Sequence, residues 1–235
     1  MSVNEPVHLP PPVLYKYCPP ERIDILWNVA VRFAPPEEFN DTFDTQYIVT
    51  GPVRERIKRI KFRAATGIFC LTETPDNHLM WVHYARNHTG FVLGFDARAE
   101  FFREDGRRLA PVCYTERLNI PVPSTPELAE SDLPFFKAPA WKNEREWRCV
   151  KQFGREESRF VEFEPKLIRE IIIGHKTESS LTTQLVSLVD AFEMTKRVQF
   201  YLSTPSPTQW RFSNVPTVYS YCEHCCGQGY TVTRA

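Results

Sequence analysis

Residues Trp141-Lys142-Asn143-Glu144-Arg145-Glu146-Trp147-Arg148-Cys149-Val150 set two carboxylates two positions apart, between two tryptophans. An extended chain rises about 3.3 Å per residue and turns alternate side chains to opposite faces. On a strand, Glu144, Glu146 and Arg148 share one face, and Arg145, Trp147 and Cys149 share the other. The carboxylate Cα atoms then stand roughly 6.6 Å apart, about the span of a sugar ring. Such a pair can grip a ribose while positive charge develops at its anomeric carbon. The same residues also read as a solvated strand face of Glu/Arg pairs, each worth a few tenths of a kcal/mol. The ten residues alone leave both readings open.

The elements that must position this stretch come from a chain of 235 residues, 42% of them hydrophobic, enough for a substantial core. Lys+Arg and Asp+Glu balance at 29 each, so no broad field pulling in nucleic acid is expected. Twenty prolines against nine glycines make proline the main punctuation. Seven scattered cysteines, no basic-then-apolar leader and no apolar run of ~20 residues predict a cytoplasmic protein with reduced thiols and no membrane span.

In order, residues 1–12 read as a loose arm, 13–205 as one domain and 206–235 as an edge strand with a Cys-containing tail. Strands are predicted over Val13–Tyr17, Ala30–Phe33, Gly67–Thr74, Gly90–Asp96, Leu109–Tyr114, Arg159–Phe163, Ile168–Gly174 and Arg197–Leu202. Pro20 to Asn28 reads as a helix with an apolar stripe of Ile23, Leu26 and Trp27. Asp76 or Asn77 caps a helix through Arg86, and Ser179 caps one reaching about Met194. Phe39-Asn40-Asp41-Thr42-Phe43-Asp44 is a turn in which Asn and Asp bond back to their own backbone. Asn119 to Pro139, proline-rich and ending in Phe135-Phe136-Lys137, is either a substrate loop or a plain surface loop. Many short strands with few, non-alternating helices predict an α+β fold with mixed, mostly antiparallel sheets.

Other constellations are weaker. Val53 to Ala65 is a helix carrying Arg54, Arg56, Lys58, Arg59, Lys61 and Arg63, a solvated face or a polyanion contact. His78, His83 and His88 recur every five residues, whereas ligands on one helix face need spacings of three or four. No metal centre is expected there, and His83 reads as a satisfied, half-buried histidine. Cys222-Glu223-His224-Cys225-Cys226 is half a zinc site without an evident second half. Phosphate loops, G-x-S-x-G and H-E-x-x-H do not occur.

The chain resembles a bacterial family, domain of unknown function 2971. The motifs are L-Y-K-Y, F-N-D-x-F-D, F-C-L-T-E-T followed by L-M-W-V-H-Y-A-R-N-H-T-G-F-V-L-G-F-D, W-K-N-E-R-E-W-R, and I-I-I-G before a helix, spanning about Tyr15 to Tyr201. A second resemblance is to enzymes that transfer ADP-ribose from NAD. These show a basic or aromatic residue on an early strand, a small-hydroxyl strand and a late E-x-E. Here the order is Tyr15-Lys16, Thr72-Glu73-Thr74 and Glu144-Arg145-Glu146. The first strand carries no arginine, and Glu73 replaces a small residue.

That resemblance implies an ADP-ribosyltransferase-like domain with NAD as substrate and a protein or nucleic-acid acceptor. Glu146 would stabilise the oxocarbenium-like transition state and Glu144 would orient or deprotonate the acceptor. Tyr15, Lys16, Thr72, Trp81, His83, Tyr84 and Arg148 would line the cofactor, Thr72 bracing Glu146 and Tyr84 stacking on nicotinamide. Glu146→Gln would then abolish turnover with the fold intact. Two alternatives stand beside it: a non-enzymatic binding or regulatory module, phage defence included, and another carboxylate-dependent nucleotide hydrolase or nuclease.

Overall fold

The computed structural model describes residues 9–44, 64–116, 132–194, 197–209, 211–221 and 230–234. In chain order the strands are β1 (Val13–Cys18), β2 (Ala30–Arg32), β3 (Thr66–Thr72), β4 (Phe91–Asp96), β5 (Arg108–Pro111), β6 (Cys113–Tyr114), β7 (Phe136–Lys137), β8 (Glu146–Gln152), β9 (Phe160–Glu162), β10 (Ile168–Ile173), β11 (Gln199–Pro205), β12 (Phe212–Tyr221) and β13 (Tyr230–Arg234). The α-helices are α1 (Asp24–Trp27), α2 (His78–Tyr84) and α3 (Ser179–Ala191), joined by several 3-10 turns. The fold is α+β with mostly antiparallel pairing, the class expected from short strands and few helices.

The chain forms two compact units. The first comprises Met1–Pro12, Arg32–Leu71 and Arg98–Val161; the second comprises Val13–Val31, Thr72–Ala97 and Glu162–Ala235. In the first, β3, β8 and β5 lie side by side in that order. The β5–β8 pair is antiparallel, with Leu109 opposite Cys149 and Pro111 opposite Trp147. Ile68, Phe135 and Val150 form a small core there, with Phe39, Cys70 and Ala110 packed on it. A short parallel pair sets Cys113 beside Phe136 and Tyr114 beside Lys137.

In the second unit the order is β13-β12-β11-β10-β4-β1. β10 and β11 are parallel because α3 carries the chain between them, and a parallel return needs such a crossover. The centre of this unit is aromatic: Tyr17 meets Trp81 edge-on at 5.3 Å, with Met80, Ala85, Val92 and Ile172 around them. Gly90 is where backbone crosses backbone, since a Cβ there would lie 2.0 Å from the Cys18 carbonyl oxygen.

Asn77 caps α2, its Oδ1 accepting from the Leu79 and Met80 N–H groups. Several expectations need correction. Trp27 is 59% exposed, and Ile25 and Leu26 are the residues α1 buries. The strand expected over Leu109–Tyr114 divides into β5 and β6. Pro111 sits at the break and lacks the N–H to continue a ladder. Glu178, with no side-chain capping bond, precedes α3, and Ser179 is already inside it. After Pro205 the chain builds two paired strands, β12 and β13. Arg54, Arg56, Lys58, Arg59, Lys61 and Arg63, most of the loop before Asp132, and Cys222–Cys226 lie outside the described residues. Among the described residues no helix is long and apolar enough to cross a membrane.

Candidate functional site

Glu144 does not stand on the strand. It ends a 3-10 turn, Pro139–Glu144, and Arg145 takes a left-handed conformation, φ 46°, before β8 begins at Glu146. A non-glycine residue there carries strain of order 1 kcal/mol. The turn nevertheless brings both carboxylates to one point. Lys137 Nζ donates to Glu144 Oε2 at 2.6 Å and to Glu146 Oε2 at 2.9 Å. The centroid of the Trp141 ring lies 4.9 Å from the same nitrogen. Glu146 and Arg148 do share a strand face as the period of two requires. Arg148 Nε donates to Glu146 Oε1 at 2.8 Å and Nη2 to Oε2 at 3.1 Å.

The rest of the Arg148 guanidinium is also engaged. Nη1 donates to Asp44 Oδ1 at 2.9 Å and to the Pro134 carbonyl at 2.6 Å, and Nη2 to Asp44 Oδ2 at 2.5 Å. These bonds use all five of its N–H groups. The Phe39 ring sits 5.4 Å from its central carbon. The Phe39–Asp44 turn therefore has two jobs. Asp41 Oδ1 accepts from the Phe43 N–H at 2.9 Å, the local turn chemistry expected, while Phe39 and Asp44 hold Arg148.

Three acids and two cations are thus gathered out of water. Asp44, Lys137, Glu144, Glu146 and Arg148 are all below 8% exposed, and Arg148 is fully buried. Burial alone would raise the Glu146 carboxyl, but Arg148 and Lys137 overcome it and bring it down to about 2. Burial works against the Lys137 ammonium as well, yet Glu146 and Glu144 hold its pKa above the ordinary lysine range. Tyr114 receives the Glu146 backbone N–H on its hydroxyl at 2.8 Å, and burial pushes that phenol up to about 12. The Cys70 thiol also bonds the Glu146 carboxylate.

Asp44, Lys137, Tyr114 and Cys70 were not singled out by sequence reasoning as site residues. The signal available was slight: Lys137 closes the proline-rich stretch just before the tryptophan-flanked acids, and Asp44 closes the aromatic turn.

The other residues predicted to line the cofactor belong to the second unit. Tyr15 faces Thr72 in register, and its hydroxyl donates to Glu170 Oε2 at 3.0 Å. Thr72 Oγ1 lies 3.1 Å from the Thr74 hydroxyl and accepts the Thr74 N–H at 3.0 Å. Lys16 is half-buried opposite Leu93. Trp81 is wholly buried, with Tyr84 packed on the same cluster. His83 is exposed, not half-buried: α2 buries Met80 and Trp81, which turns Leu79 and His83 outward.

His88 is the buried histidine, delivered by three consecutive left-handed residues, Arg86, Asn87 and His88. It stacks on Trp81 and Phe212 and meets His175 edge-on at 4.7 Å, and burial draws its pKa down to about 4. Among the described residues no group of three or more His, Cys, Asp or Glu is arranged to hold a metal ion. A separate cavity of about 370 Å³ in the second unit lies among Ile168, Phe192, Met194 and Arg197.

No curated protein and no solved structure matches the chain. Residues 80–149 match the model of a family described as Protein of unknown function (DUF2971), and the matched segment contains Lys137, Trp141, Glu144, Glu146 and Arg148.

Proposed function

We propose that the chain cleaves the nicotinamide–ribose bond of NAD and transfers ADP-ribose to a protein or nucleic-acid acceptor. The observation that carries this reading is the convergence of two buried carboxylates on one cationic centre, Lys137 Nζ, at 2.6 and 2.9 Å. A fixed anionic pair in a low-dielectric setting favours positive charge at the point where the two meet. Glu146, with its pKa drawn to about 2, stays ionised through the physiological range. It therefore acts as a stabiliser of positive charge and not as an acid.

In the reaction the C1′–N bond breaks and its electron pair leaves with nicotinamide, neutralising the pyridinium. Glu146 steadies the oxocarbenium-like sugar. The acceptor atom forms the new bond to C1′, and its proton passes to Glu144. The order of Tyr15-Lys16, Thr72-Glu73-Thr74 and Glu144-Arg145-Glu146 along the chain supports the same reading.

The test is to incubate the purified protein with NAD, with and without magnesium, and to measure free nicotinamide. Metal-independent release that disappears in Glu146→Gln, normalised to folded protein, is expected. A magnesium requirement with no nicotinamide would point to phosphodiester chemistry. Silence in both conditions, with a cell extract supplying acceptors, would favour a binding module.

A further inference from the structure

Lys137 sits where the proposed reaction would need an approaching cation, and the shape of its surroundings says what could replace it. Its ammonium is enclosed by Glu144 and Glu146 at hydrogen-bond distance, by Asp44 Oδ2 at 3.9 Å and by the Trp141 ring 4.9 Å away. Two carboxylates and an aromatic face are how proteins recognise organic cations. The carboxylates are 4% and 5% exposed, whereas Trp141 is only half-buried. Neutral or anionic ligands entering in place of Lys137 would remove the cation that Glu144 and Glu146 share, leaving Arg148 alone to balance Glu146, which is unfavourable. A cation would exchange charge for charge. Lys137 itself lies on a strand of two residues, β7, paired with the two residues of β6, and its carbonyl accepts the Thr115 N–H at 3.0 Å.

We infer that Trp141, Glu144 and Glu146 form a recognition cage for an organic cation, filled by the chain's own Lys137 until a pyridinium-bearing ligand displaces it. The choice of pyridinium rests on the NAD reading above, because oxidised nicotinamide is a flat cation that suits the face of Trp141. The cage itself rests on the geometry alone. Lys137 then acts as a plug that competes with the ligand and sets a requirement for positive charge on whatever enters.

The experiment compares wild type with Lys137→Ala by thermal unfolding in the presence of 1-methylnicotinamide, a pyridinium cation, and of nicotinamide, its neutral counterpart. The cation is expected to raise the Lys137→Ala Tm by roughly 5 °C at saturating concentration and to leave wild type nearly unmoved. Nicotinamide should move the Tm of neither protein. Adding Trp141→Leu to Lys137→Ala should weaken the response at least several-fold. If Lys137→Ala does not accumulate in folded form, Lys137→Gln is measured in its place. Recovery of the folded variant only when the cation is present during refolding supports the cage. Equal responses to the charged and neutral compounds, or no response to either, overturn it. Binding of the cation by Lys137→Ala with no NAD turnover would keep the cage and remove the catalytic reading. Turnover with no cation-selective binding would do the reverse.

Discussion

Replacing Glu146 with glutamine tests whether the buried network holds the first unit together. The wild-type carboxylate accepts three charge-assisted bonds: Arg148 Nε on Oε1, and Arg148 Nη2 and Lys137 Nζ on Oε2. An amide has one oxygen. Placed at the Oε2 position, it keeps two donors and turns its NH2 against Arg148 Nε, which loses its acceptor. The opposite orientation strands two donors and is worse. The better orientation forfeits one charged hydrogen bond, about 1.5–3 kcal/mol, and weakens two others. Removing one negative charge from a cluster of three acids and two cations returns part of this. The net cost is about 3 kcal/mol, a fall in Tm of roughly 6–12 °C for a chain of this size. Calorimetry or thermal circular dichroism reads it directly. A Tm within ~2 °C of wild type would refute the argument that these bonds are made and matter. Glu146→Gln is therefore not expected to be silent in stability, contrary to what the sequence alone suggests, and its turnover must be expressed per folded molecule.

Two further predictions concern other parts of the chain. His88 is held neutral by burial, with His175, His78 and Lys176 adding to the effect, so its folded pKa of about 4 lies below the unfolded value. Its contribution is complete above about pH 6.5 and is lost as pH falls from there toward 4, by of order 2 kcal/mol once solvent screening is allowed for. Urea midpoints measured across that window should show this slope, and His88→Phe should flatten it. Gly90→Ala would place a methyl 2.0 Å from the Cys18 carbonyl oxygen and 3.0 Å from the Pro19 Cα, both of them backbone atoms. It should destabilise by about 2–3 kcal/mol, and a variant as stable as wild type in urea would show that the crossing relaxes freely.

Local rules decided a good deal about this chain. The strands β1, β3 and β4, the Asn77 cap and the shared face of Glu146 and Arg148 follow from residue types a few positions apart. Backbone sterics and side-chain alternation act over that range and leave their mark in the sequence. The fate of the acids did not follow. Alternation alone sets Glu144 on the strand, and the left-handed Arg145 takes it off. Its convergence with Glu146 depends on Lys137, which β7 carries in beside Tyr114. Arg148 finds Asp44 across 104 positions of chain. Whether a carboxylate is solvated or buried, and which cation it meets, is set by contacts remote in sequence. Those contacts exist only once the chain has folded, so no spacing rule records them.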